Sequence, residues 1–160
     1  MSYYFTDNEI KALIDEEKTH SGTLSEIMKF KESDGHKRTS FEISRSDGSK
    51  FIIKLRQNTI NINDFSAIIA FQEKDTNKDF KLRRYNGKSH EHTNKIEGKK
   101  FYNFHIHFAT QRYQDMERKE ESFAEKTGRY SNIQGALDCL LKDCNIKLKA
   151  DPQMGLFNQS

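Results

Sequence analysis

The sequence predicts an α+β fold: an antiparallel sheet of about six strands, with an N-terminal helix and two C-terminal helices packed on one face. Three observations support this. Apolar residues recur at helical spacing near both ends of the chain, the stretch between alternates with the two-residue period of strands, and Asp-Gly and Asn-Gly turns punctuate that stretch. There is no alternating βαβ pattern and no Gly-rich phosphate loop, which argues against a nucleotide-binding α/β domain.

The composition suits one small folded domain. The chain has 160 residues, of which 32% are charged, but its twelve Phe and six Tyr can supply a core. We expect residues 1–148 to form this domain and residues 149–160 to be a flexible C-terminal tail. No apolar run approaches the ~18 residues of a membrane span and no secretory signal is visible. We therefore expect a cytoplasmic protein with no membrane partner.

The first predicted element is a helix. Thr6 and Glu9 have the spacing of a capping box, in which each side chain bonds the other residue's backbone N–H. Ile10, Leu13 and Ile14 follow as one apolar stripe. These residues predict a helix over about residues 7–18.

Strand patterns follow. The turn at Asp47-Gly48 joins two alternating segments and predicts a hairpin, and the apolar run 66–72 suits a central strand. Residues 89–100 have no periodicity and are predicted to be a loop. The predicted strands are residues 27–30, 39–45, 50–56, 59–62, 66–72, 80–85 and 101–108.

Two helices are predicted after the strands. Residues 122–127 are expected to end the first, with Gly128 at the C′ position. A second capping box at residues 131–134 is expected to begin the last helix, whose apolar face runs to Cys144. Cys139 and Cys144 have neither a redox nor a disulfide spacing, so we expect both to pack as small apolar groups.

The window 81–112 is chemically distinctive. It holds four of the six histidines, as the pairs His90/His92 and His105/His107, and its eight basic and two acidic residues make it +6 in a chain of net charge +3. Alternation in the predicted strand 101–108 places His105 and His107 on one face, opposite an aromatic and apolar face. The two imidazoles are therefore expected to project together towards solvent, a cleft or a covering element.

Three kinds of chemistry would use these residues. His105 and His107 are candidates for general acid and base on an RNA phosphodiester, whose 2′-OH supplies the nucleophile, without a metal cofactor. Alternatively, three or four of the histidines bind Zn²⁺. In the third, the basic segment binds nucleic acid or an acidic protein surface without chemistry. The candidate binding residues are Arg83, Arg84, Tyr85, Asn86, His90, His92, Lys99 and Lys100.

One arrangement in this window resembles a known family. Arg84-Tyr85-Asn86, a histidine-rich segment and then His105-Ile106-His107 are similar to the Arg-Tyr-Asp/Asn and His-x-His pattern of TumE-like toxins, the toxins of prokaryotic toxin–antitoxin pairs, and of related families of unknown function. The resemblance covers about residues 81–113. It implies an RNA-directed toxin with an antitoxin partner. The chain is longer at both ends than a minimal toxin needs, which leaves open a non-catalytic binding module or inhibitor, for example a phage-encoded one.

Overall fold

An antiparallel sheet of seven strands is the framework of the computed structural model, which describes residues 3–150. The sheet order is β10-β9-β6-β5-β4-β3-β2, and separate two-stranded pairs are formed by β1 with β11 and by β7 with β8. In chain order the elements are α1 (Asp7–Asp15), β1 (Lys18–Thr19), α2 (Leu24–Ile27), β2 (Lys31–Ser33), β3 (His36–Ser44), β4 (Lys50–Asn58), β5 (Phe65–Gln72), β6 (Phe80–Asn86), β7 (His92–Asn94), β8 (Lys99–Phe101), β9 (His105–Phe108), α3 (Gln111–Asp115), β10 (Phe123–Lys126), α4 (Ile133–Asp143) and β11 (Ile146–Lys147).

The α+β class is confirmed, with the main core between one face of the sheet and two helices. α1 contributes Ile10 and Ile14, and α4 contributes an apolar face that includes Leu137 and Leu140. These side chains pack on residues such as Ile53 of the central strands. Removing each large apolar side chain from water is worth roughly 1.5–3 kcal/mol, which is how two amphipathic helices hold one sheet face. Within residues 3–150 the two longest helices, α1 and α4, both lie on this face of the sheet.

The ends of α1 and α4 are closed by specific hydrogen bonds. The Thr6–Glu9 capping box is present as predicted. The helix ends at Asp15 rather than near residue 18, because Lys18 turns inward and its Nζ donates to the carbonyl oxygens of Ile14, Glu16 and Cys144 at 2.8–2.9 Å. One buried ammonium therefore satisfies carbonyls at the C-termini of both helices.

The start of α4 differs from the prediction in one detail. Its N-cap is Asn132, whose side chain accepts from the Gly135 N–H, so the predicted capping box at residues 131–134 is wrong in its cap residue. The helix itself is confirmed. Cys144 is buried and Cys139 is half-buried, and both are free thiols.

Two predicted strands near the N-terminal half are wrong. Of the predicted strand 27–30, Ile27 is the last residue of α2, which begins with a capping box of Thr23 and Glu26, and the other residues follow the helix. Residues 59–62 form a turn, with Ile60 and Ile62 exposed by 92% and 67%. The side-chain oxygen of Asn58 accepts from the Ile60 and Asn61 N–H groups, and this local bonding competes with strand pairing.

The region around β9 also differs from the prediction. Residues 122–127, expected to end a helix, contain β10, which pairs with the edge of β9, while α3 is a single short helix. The predicted strand 101–108 is divided into β8 and β9, and Tyr102 between them is 63% exposed. The predicted loop 89–100 contains a hairpin of β7 and β8. In each case pairing with a neighbouring strand, which local periodicity does not record, determines the structure.

Residues 151–160, most of the predicted flexible tail, lie outside the described residues, but the Lys149 N–H donates to the Gly22 carbonyl at 3.1 Å. Within residues 3–150, every helix is too short or too polar to cross a membrane.

We predict that Gly87→Ala destabilises the protein by more than about 2 kcal/mol, measured by urea denaturation. Gly87 follows β6 and lies against the turn that precedes β5. A Cβ at Gly87 would be 1.8 Å from the Asn63 carbonyl oxygen of that turn. Gly128→Ala is the matched control, because a Cβ at that position meets nothing within 4 Å. Similar unfolding free energies for the two variants would contradict this account of the close approach between Gly87 and Asn63.

Candidate functional site

The pairing of β6 with β9 brings together four residues that are distant in sequence. Arg84 is the partner of His107 and Asn86 is the partner of His105. Directly paired residues of antiparallel strands have their side chains on the same face of the sheet. The two histidines, the arginine and the asparagine therefore share the face opposite α1 and α4.

The hairpin of β7 and β8 covers this histidine face. The His92 ring stacks on His105 with centroids 5.4 Å apart and meets the edge of His107 at 4.8 Å. His105 and His107 are consequently only 6% and 4% exposed. Of the three environments expected for the strand histidines, the structure shows the covering element. We name His92, His105 and His107 the histidine cluster.

Each ring of the histidine cluster has one nitrogen committed to an oxygen acceptor. His105 Nδ1 donates to the Asn103 carbonyl and His107 Nδ1 to the Glu121 carbonyl, both at 2.8 Å. His92 Nε2 donates to Asn94 Oδ1, also at 2.8 Å. Since each neutral imidazole carries one N–H, these bonds set the tautomers. The remaining nitrogens, His92 Nδ1, His105 Nε2 and His107 Nε2, are left as lone-pair donors.

The orientation of Asn94 is itself fixed. Its Oδ1 accepts the Ala124 N–H at 2.9 Å, and its Nδ2 donates to the Ala124 carbonyl at 2.8 Å. This pair of bonds joins β7 to β10 and leaves no freedom for the amide to flip. His92 is thus held by a side chain that is anchored to the main sheet.

Burial keeps the two histidines of β9 uncharged. It lowers the pKa of His107 to about 2, and the nearby Arg84 guanidinium and the other imidazoles act in the same direction. Burial also lowers the pKa of His105. Both imidazoles are therefore neutral near pH 7, which suits a base or a metal ligand and is unfavourable for a general acid.

Arg84 and Asn86 border the cluster with unused polar atoms. Arg84 Nη2 lies 2.9 Å from Glu121 Oε2, an ion pair that lacks hydrogen-bond alignment. Arg84 Nε and Asn86 Oδ1 are buried and have no hydrogen-bond partner among the described residues. Such atoms in a folded protein call for an explanation, and a bound polar group is one.

A cavity of about 310 Å³ opens beside the cluster. His105 and His107 line it together with His92, and His90, which is exposed, lies at its wall. Arg84 and Asn86 line both this cavity and a larger groove of about 720 Å³ on the sheet face opposite α1 and α4. The histidine cluster therefore lies at one end of the groove, which we name the basic groove.

The lining of the basic groove carries positive charge and no acidic residue. Its basic residues are Lys29, Lys31, Arg38, Lys54, Arg56 and Arg84. Neighbouring acids pair with three of them: Asp79 with Lys54, Asp64 with Arg56 and Glu121 with Arg84. Within residues 3–150, the other three have no ion-pair partner. The groove is therefore net positive and half of its cations are available to a ligand.

Several predicted site residues lie elsewhere. Arg83 and Tyr85 are on the helix side of the sheet, where the Tyr85 hydroxyl donates to Asp143 at 2.7 Å and Arg83 stacks on the Phe108 ring at 5.0 Å. Tyr85 therefore contacts α4, and Arg83 packs against a side chain of β9 on the helix side. Lys99 and Lys100 are exposed on β8 and line a different surface cavity, with Arg112 and Lys126.

Other residues of the site were not predicted. The β2 and β3 residues Lys31 and Arg38 are direct partners across the sheet, and Arg56 of β4 is the next partner along. Their positions on polar faces of strands were visible in the sequence, but only the register shows that they line up with Asn86 and His105. Asn94 carried no signal in the sequence.

Comparison with known proteins gives a family and little else. A family model described as a family of unknown function (DUF6978) matches residues 5–146. No curated protein and no solved structure has a significant match to the chain.

We predict that the free energy of unfolding falls by about 2 kcal/mol between about pH 7 and about pH 5 because of His107 alone. In the unfolded chain this side chain titrates near its ordinary pKa of about 6.5. Below that pH the unfolded state binds a proton that the buried imidazole, facing Arg84, His92 and His105, does not. Stability is therefore lost as pH falls.

Urea denaturation at both pH values, with a chelator present, measures this loss. His107→Gln is expected to reduce the pH dependence, and His90→Gln, which changes an exposed histidine of the same cavity, is expected to leave it unchanged. An equal pH dependence in wild type and His107→Gln would disprove the assignment.

Proposed function

Because the chain belongs to the DUF6978 family, whose function is unknown, we propose its function from the site itself: it binds nucleic acid, RNA in the first place, along the basic groove. The observation that carries the proposal is the groove lining, with six basic and no acidic residues, which ends at the histidine cluster. Lys and Arg that replace the counterions of phosphates provide most of the sequence-independent affinity for a nucleic acid backbone.

The shape and chemistry of the groove favour contacts to the backbone over contacts to bases. Its lining is made of charged, hydroxyl and amide side chains, with Leu55 and Ile68 as its only large apolar residues and no aromatic ring. Single-stranded binders that read bases usually offer aromatic platforms. We therefore expect little sequence preference and a strong dependence on salt.

We predict that Lys31→Glu/Arg38→Glu weakens binding of single-stranded RNA by at least about 10-fold at ~0.1 M salt. The two side chains are exposed and adjacent across the sheet, without ion-pair partners among residues 3–150, so their replacement removes contacts and introduces repulsion. The slope of log affinity against log salt is expected to fall by about 1.4, which corresponds to two lost phosphate contacts on a single strand. Fluorescence anisotropy with a labelled oligonucleotide measures both.

The matched control is Lys11→Glu/Lys142→Glu. It makes the same change in net charge, but on α1 and α4, which cover the opposite face of the sheet. Equal loss of RNA affinity in the two double variants would show that net charge, and not the groove, determines binding. Wild-type protein that binds no RNA would overturn the proposal.

A second candidate, cleavage of the bound strand, is favoured by the place of the histidines at the end of the groove. The resemblance to TumE-like toxins supports the same candidate, because Arg84, Asn86, His105 and His107 of the matching pattern share one face of the sheet. Tyr85, the remaining residue of the pattern, lies on the other face. Cleavage by acid and base alone needs one protonated imidazole, and burial lowers the pKa of both His105 and His107. The base half of that reaction is therefore the better supported.

The toxin-like form of this candidate carries further proposals: a cytoplasmic location, with which the free cysteines agree, and an antitoxin or other protein partner that covers the groove. If it is right, expression of the wild-type protein alone arrests growth and degrades RNA, and His105→Ala/His107→Ala relieves both. Growth curves and total RNA profiles check this. Equal growth with intact RNA in the two strains would leave only the binding proposal, including that of a non-catalytic inhibitor.

A further inference from the structure

We propose that His92, His105 and His107 form a transition-metal site with three protein ligands and one open position, and that Zn²⁺ is the ion it suits best. Within residues 3–150 these histidines are the group of three potential ligand side chains whose donor atoms come together, with one ring nitrogen of each within 4.8 Å of the others. The site stands on its own geometry and does not depend on RNA binding.

The three potential ligand side chains come from two elements, β7 and β9. His105 Nε2 and His107 Nε2 are on the same face of β9, and His92 Nδ1 comes from the covering hairpin. Zn–N bonds of about 2.1 Å in a tetrahedron place ligand atoms roughly 3.4 Å apart. The longest separation must therefore shorten by up to about 1.4 Å when an ion binds.

The hydrogen bonds around the rings are those that metal-bound histidines use. A histidine ligand usually donates its other N–H to a carbonyl or carboxylate, which fixes the tautomer and the direction of the lone pair. All three rings do so here, to the Asn103 carbonyl, the Glu121 carbonyl and Asn94 Oδ1. These bonds leave His92 Nδ1, His105 Nε2 and His107 Nε2 free to coordinate an ion.

The ligand set selects the class of ion. Three imidazole nitrogens suit Zn²⁺ and neighbouring divalent transition metals, whereas Mg²⁺ and Ca²⁺ require oxygen ligands. Glu121, the nearest buried acid, is paired with Arg84. Three protein ligands with a free position are typical of catalytic rather than structural zinc sites.

The open position faces a place where an anion would bind. The cavity beside the cluster is lined by Arg84 and Asn86, which also line the basic groove, and by two acids, Asp64 and Glu91. Asp64 pairs with Arg56 of the groove, so its charge is already countered. Here the inference deepens the proposed function and rests on it: a phosphate oxygen of a strand in the groove is the ligand class we assign to the fourth position. The buried Arg84 Nε is a hydrogen-bond donor that such an oxygen would satisfy.

The test is metal binding by untagged full-length protein, stripped with a chelator and then titrated with Co²⁺ and Zn²⁺. We expect about one equivalent of either ion by elemental analysis after dialysis, and Co²⁺ absorption bands typical of four or five ligands. His92→Ala removes one ligand, from the least buried position of the cluster, and should weaken metal binding by at least about 100-fold. Loss of a residue that only hydrogen-bonds to a ligand typically weakens metal binding by no more than about that factor. His90→Ala, in the same cavity, is the control and should bind like wild type.

Each outcome decides the matter. One retained equivalent that depends on His92 and not on His90 supports the site, whereas no retained ion, or equal binding by His92→Ala and wild type, overturns it. Equal weakening by the two variants overturns the assignment of the three ligands. RNA anisotropy on the stripped protein, run in parallel, keeps the two proposals apart, because the basic groove can bind RNA without the ion. If the stripped protein binds RNA and no ion is retained, only the metal site fails.

Discussion

The antiparallel pairing of β6 with β9 is the interaction on which the rest of the site depends. It matches Arg84 with His107 and Asn86 with His105, and a shift of one residue would send both histidines to the helix side. The register is held because Tyr85 and Ile106, the pair between them, are buried in the core against α4. Burial of an apolar pair on one face therefore determines which polar residues meet on the other.

Because both faces of β9 are covered, its histidines are removed from water, and hydrogen bonds offset the unfavourable free energy of burying these polar rings. A buried imidazole without a partner is destabilising, so every N–H of the histidine cluster finds an acceptor. Among the described residues, the buried side-chain atoms without a hydrogen-bond partner are Arg84 Nε, Asn86 Oδ1 and Glu121 Oε2. Arg84 and Asn86 lie where the cavity and the basic groove meet. Two of these three atoms therefore belong to residues at the place where a charged ligand would enter, and the third, on Glu121, faces the Arg84 guanidinium.

The parts of the fold that sequence predicts well are those set by local pattern. α1 and α4 have both a cap and an apolar stripe, β3, β4 and β6 have alternation, and β5 has a continuous apolar run, so their positions follow from short-range physics. The failures share one cause. Residues 122–127 form β10 because β9 offers an unpaired edge, and residues 59–62 leave the sheet because Asn58 closes a turn. Neither the edge nor the competing bond is visible in periodicity.

For function, the sequence by itself determined that histidines and positive charge concentrate in residues 81–112 and that His105 and His107 share a face, because a strand alternates with period two. Only the tertiary structure decided which residues join them. It brought in His92 through the hairpin of β7 and β8, and it excluded Arg83 and Tyr85 by placing them under α4. The reason is physical: convergence depends on strand register and on which face a helix covers, and both are set by contacts between residues far apart in the chain.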